Sequence, residues 1–71
     1  MPKLYSSDFI TKVLKKSGFV YVSQKGSHAK FCRHGKNTLT VIVPMNRKEI
    51  PFGTFRSILR QANLSEEDFK K

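Results

Sequence analysis

The sequence predicts an α+β fold in which a helix, a three-stranded antiparallel sheet and a second helix follow one another, both helices on one face of the sheet, with a short helical turn at the end. Two stretches of apolar residues at helical spacing, 9–14 and 55–62, bracket the middle of the chain. Between them lie three short runs rich in β-branched and aromatic residues, divided by glycine-bearing turns. The 71 residues are read as one domain, spanning 1–71 and close to the smallest size at which a single apolar core holds without staples.

Met1 to Tyr5 is a lead-in. Ser6 or Ser7 can cap the first helix, whose opening turn carries Asp8 and whose closing turn carries Lys15 and Lys16, charges that suit the helix dipole. Phe9, Ile10, Val13 and Leu14 form its buried stripe, and Gly18 stops it. The first strand is expected over 19–23. After a turn at Lys25-Gly26 the second runs from His28 to Arg33, and after Gly35-Lys36-Asn37 the third runs over 38–43 and ends at Pro44. Such short connections imply a meander. Alternation along the second strand puts His28, Lys30, Cys32 and His34 on one face and Ala29, Phe31 and Arg33 on the other, with Phe31 toward the helices.

Residues 45–52 read as a loop. Thr54 is the expected cap of the second helix, with Phe55, Ile58, Leu59 and Ala62 buried and Arg56 and Arg60 exposed. Asn63 suits the left-handed position that ends a helix, and Ser65 with Asp68 can cap a last turn in which Leu64 meets Phe69. Tyr5, Phe19 and Tyr21 are read as core, the alternative being stacking on nucleic-acid bases.

Charge narrows the function. Fourteen Lys and Arg against five Asp and Glu give a formal net charge of +9. Between Phe9 and Lys48 there is no acidic residue, while Lys12, Lys15, Lys16, Lys25, Lys30, Arg33, Lys36, Arg47 and Lys48 all fall there. A body so one-signed favours a polyanion, the phosphate backbone of nucleic acid first, over mere solvation. A single cysteine, Cys32, excludes an internal disulfide, and no Cys/His spacing resembles a zinc site, so a reducing cytoplasm is the expected compartment. No apolar run is long enough for a signal peptide or a membrane span, so a soluble protein with no membrane partner is expected.

The stretch Gln24 to Phe31 gathers the chemistry. Gly26 permits the positive φ of a tight reversal, and His28 follows at the mouth of a strand, between Lys25 and Lys30. An imidazole titrates near neutrality and can carry protons for chemistry on an anion. A histidine there can also do no more than hydrogen-bond the turn. Ser27 can donate to a phosphate oxygen or simply satisfy backbone groups. Arg33, Lys36, Arg47 and Lys48 are further candidate phosphate contacts. His34 lies too far along the strand, about 20 Å at some 3.4 Å per residue, to share a phosphate with His28. No carboxylate completes a nucleophilic triad, and the acids form no metal-binding cluster, so neither metal nor cofactor is expected.

The run Lys25-Gly26-Ser27-His28-Ala29-Lys30-Phe31, then Val43-Pro44-Met45, then Glu49-Ile50-Pro51-Phe52-Gly53-Thr54-Phe55-Arg56-Ser57-Ile58-Leu59-Arg60-Gln61-Ala62, resembles the HicA family of toxins. The resemblance extends from about Ser6 to Leu64. It implies a double-stranded-RNA-binding-domain-like fold, metal-independent cleavage of messenger RNA in the cytoplasm, and a HicB-type antitoxin that covers the active site. The family's catalytic histidine corresponds to His28. Asn46 is a departure, because many members carry a second histidine there.

RNA can be cut without a metal when its own 2′-hydroxyl attacks the neighbouring phosphorus. The expected reading is an endoribonuclease with His28 as general acid or base, Lys25 and Lys30 holding the phosphate, and Ser27, Arg33, Lys36, Arg47 and Lys48 contacting RNA. The rivals are a non-catalytic RNA-binding module of the same fold and an adaptor docking on an acidic protein.

Overall fold

The computed structural model describes residues 3–70, with the elements α1 (Ser7–Lys16), β1 (Val20–Lys25), β2 (His28–Arg33), β3 (Leu39–Pro44), α2 (Phe52–Ala62) and a final 3₁₀ turn, Glu66–Phe69. Ser6 is the cap of α1, its side chain accepting from the Phe9 N–H at 3.1 Å. The two helices end alike. Gly18, at φ 95°, and Asn63, at φ 57°, let the chain turn back, so that Phe19 N–H donates to Leu14 O at 2.9 Å and Leu64 N–H to Leu59 O at 3.0 Å. At the C-terminal turn the Ser65 N–H and hydroxyl both donate to the Asp68 carboxylate.

Three expectations are corrected. The first strand begins at Val20, because the Phe19 N–H closes the end of α1 and its ring is buried there. Thr54 does not cap α2. The helix starts three residues earlier than such a cap would place it, at Phe52, behind Pro51, whose ring fixes φ near −55° and whose extended backbone leads into the helix without a side-chain hydrogen bond. Tyr21 is 51 % exposed and therefore not core, although its ring meets Phe31 edge-on with centroids 5.8 Å apart.

The strands lie in the order β1-β2-β3, both pairs antiparallel. Residues opposite one another share a face. The rows Tyr21–Phe31–Val41 and Gln24–Ala29–Val43 therefore point to the inner side, where Ala29, Phe31, Val41 and Val43 are buried against Ile10 and Leu14 of α1 and Phe55 and Ile58 of α2. The rows Lys25–His28–Pro44, Ser23–Lys30–Ile42 and Val20–Cys32–Thr40 occupy the outer side. Both helices pack on β3, which leaves β1 uncovered, and all six of its residues are exposed.

An aromatic cluster closes the helical layer. Tyr5 stacks on Phe9 at 4.9 Å, and Phe69 meets Phe55 edge-on at 5.0 Å, so the lead-in and the 3₁₀ turn seal one core from two sides. With the inner face so filled, Phe31→Ala is expected to cost about 3–5 kcal/mol, a large part of what so short a chain holds. Val20→Thr, on exposed β1, is expected to cost under about 0.5 kcal/mol. Denaturant unfolding of the two variants measures both, and equal midpoints would contradict this assignment of faces.

Candidate active site

The rim is built from a hairpin. Lys25 and His28 face each other across a two-residue turn in which Gly26 takes φ 59° and Ser27 does not take a positive φ, the pattern of a glycine-first hairpin turn. A Cβ added at Gly26 would meet nothing within 4 Å, so glycine is needed there for its backbone angle and not for space. The Gln24 side-chain amide donates to Gly26 O at 3.0 Å and steadies the turn.

His28 is exposed and sits in one outer row between Lys25 and Pro44, with exposed Lys30 two residues along the same face. The chain leaving Pro44 stays at this rim. Met45 N–H donates to Ser27 O at 2.6 Å, after which Asn46 takes φ 61°. Asparagine is among the few residues that accept this conformation readily.

Ser7 then locks the loop. Its hydroxyl donates to Pro44 O at 2.6 Å and accepts from the Arg47 N–H at 3.1 Å, while its own N–H donates to Arg47 O at 2.9 Å. The side chain is 1 % exposed. Further on, Ile50 N–H donates to Tyr5 O at 2.8 Å and the Ile50 side chain is fully buried. The segment carrying Asn46, Arg47 and Lys48 is thus fastened to the His28 turn on one side and to α1 on the other, with all three side chains exposed.

The candidate residues divide into two groups. Lys25, Ser27, His28, Lys30, Arg47 and Lys48 belong to the rim. Arg33 and Lys36 lie at the far end of β2, five or more residues from His28, which at about 3.4 Å per residue is some 17 Å or more along the strand. Arg33 is already engaged there: Nη1 donates to Ser17 O at 3.1 Å, and the guanidinium lies over the Phe19 ring, 5.2 Å from its centroid. With Lys36, Gly35, Asn37, Leu39 and Asn63 it lines a cavity of about 230 Å³. Cys32 pairs with Thr40 across the strands at 3.5 Å. Among the described residues no three of His, Cys, Asp and Glu gather closely enough to hold a metal ion. Among them, too, no helix is long and apolar enough to cross a membrane.

A family model described as "HicA toxin of bacterial toxin-antitoxin" matches residues 8–64. The chain belongs to the HicA toxin family. No curated protein matches it. Membership in HicA makes the chain the toxin half of a toxin–antitoxin system, with an antitoxin as its partner, and the matched span contains the whole rim apart from Ser7.

Sequence reasoning missed Ser7 as the fastener of the HicA rim. A signal was present: one capping serine suffices, so a second serine beside it inside the first turn asks for another role. Ser7→Ala leaves the part-buried Pro44 carbonyl and Arg47 N–H without this partner and is expected to destabilise the fold by about 1–3 kcal/mol. Thermal unfolding measures that loss. An unchanged midpoint would mean that the loop does not depend on this residue.

Proposed function

We propose that this toxin is a metal-independent endoribonuclease acting on messenger RNA in the cytoplasm, with His28 as its general acid or base, and that a HicB-type antitoxin silences it by covering His28. The observation that carries the reading is the exposed His28 held in one row with Lys25, beside Lys30 and a pinned loop bearing Arg47 and Lys48. An imidazole among cations on an open face suits proton transfer at a phosphodiester.

In the proposed reaction the 2′-hydroxyl of one nucleotide loses its proton and its oxygen attacks the adjacent phosphorus. The bond to the 5′-oxygen breaks, and that oxygen gains a proton. His28 moves one of these two protons. Lys25 and Lys30 offset the charge that builds on the phosphoryl oxygens, and Ser27 donates to one of them. Arg47 and Lys48 take a neighbouring phosphate, while Lys36 takes a more distant one. The products are a 2′,3′-cyclic phosphate and a 5′-hydroxyl. The site is a shallow rim, so phosphates and exposed single-stranded RNA dominate recognition over base reading.

His28→Ala is expected to lower cleavage by roughly 10²–10⁴-fold and to leave RNA affinity within about a factor of two. A wild-type protein that binds RNA without cutting it would instead establish the non-catalytic module. End-group analysis provides a separate check, since 5′-phosphate products would rule out the cyclising route. Arg47→Ala with Lys48→Ala is expected to weaken RNA binding and to flatten its salt dependence by about two contacts, read from affinities at several ionic strengths.

A further inference from the structure

The two edges of the sheet are treated differently. At β3 the Ile42 N–H donates to the Gln61 side chain of α2 at 3.0 Å, so a helix partly closes that edge. At β1 no further strand is paired among the described residues, and neither helix covers the strand. Three of the four exposed large apolar residues in the described chain are consecutive there: Val20 at 56 %, Tyr21 at 51 % and Val22 at 49 %. Unpaired backbone groups beside an apolar run are the makings of a docking edge for another strand.

Charge selects the occupant. A second copy would bring another +9 against the first, and no acidic residue between Phe9 and Lys48 could compensate it. The cations around the edge are Lys25, at the end of β1, and Lys30, which lies behind small Ser23 in the same row. An added strand bearing carboxylates would find both within reach of its side chains.

We infer that β1 is where an acidic extended segment of the antitoxin adds to the sheet as a fourth strand. The pairing runs one strand away from His28, so a partner seated on β1 has its next residues at the row Lys25–His28–Pro44. This inference rests on membership in a toxin–antitoxin family, and not on the ribonuclease chemistry.

The test is backbone amide exchange over residues 20–25, in the free toxin and in its complex with the cognate antitoxin, co-expressed and purified with it. The antitoxin is expected to slow the outward-facing amides of β1 by roughly tenfold or more. Val20→Glu is expected to bind the antitoxin roughly tenfold more weakly than Val20→Lys, because only the first repels an acidic strand. Neither readout involves RNA cleavage, so an inactive nuclease leaves the result intact. Unchanged β1 exchange in a complex that protects other elements overturns the inference. So does protection already present in a free toxin that sediments as a dimer, protection by an RNA oligonucleotide in place of the antitoxin, or equal affinity of the two Val20 variants.

Discussion

The hydroxyl of Ser7 is where the helical layer and the sheet are fastened together at the end that matters for chemistry. Burying it is tolerable because it both gives and receives a hydrogen bond, and the two partners, Pro44 O and Arg47 N, lie on either side of the left-handed Asn46. Without such a clamp the segment 45–49 would be a surface loop carrying two cations and an acid, with several conformations open to it. With it, the loop becomes part of the sheet's rim. Met45 repeats the device against Ser27, so the loop and the hairpin turn hold each other.

The arrangement shows how a chain of 71 residues combines a packed core with a strongly basic surface. The inner face and the two helices use nearly all the large apolar side chains, and the aromatic cluster of Tyr5, Phe9, Phe55 and Phe69 closes the core from the side. Too little material remains for a second layer on the outer face. That face carries Lys25, His28, Lys30 and Ser23 beside exposed Val20, Thr40 and Ile42, and the same scarcity leaves β1 without a helix over it. An exposed site and an exposed edge therefore share one cause.

Much of this was legible in the chain. The span of β2 follows from the glycine before it and the bend after it, and the alternation of His28 and Lys30 against Ala29 and Phe31 assigns the faces correctly. Asn63 and the Ser65–Asp68 cap were readable because their chemistry is local. What escaped depends on neighbours distant in sequence. Tyr21 lies on the inner side of its strand, so pattern alone puts it in the core, yet both helices pack on β3 and leave it half exposed. Val22 occupies an irregularity between Tyr21 and Ser23, which breaks the alternation of β1 and hides its faces from a period-two reading. Arg33 looked like a free cation, but in the fold its guanidinium closes the end of α1 against Phe19.

The hairpin between Lys25 and His28 has no slack, since only Gly26 and Ser27 separate the paired residues. Side chains within that reversal can vary, but its length cannot change by one without consequence. A single insertion or deletion absorbed by slipping β2 would swap its two sets of side chains, bringing the imidazole inward and expelling Phe31 into water. Among otherwise diverged descendants of this chain, the spacing from the glycine to the histidine should therefore tolerate indels less than any other interval in the sheet.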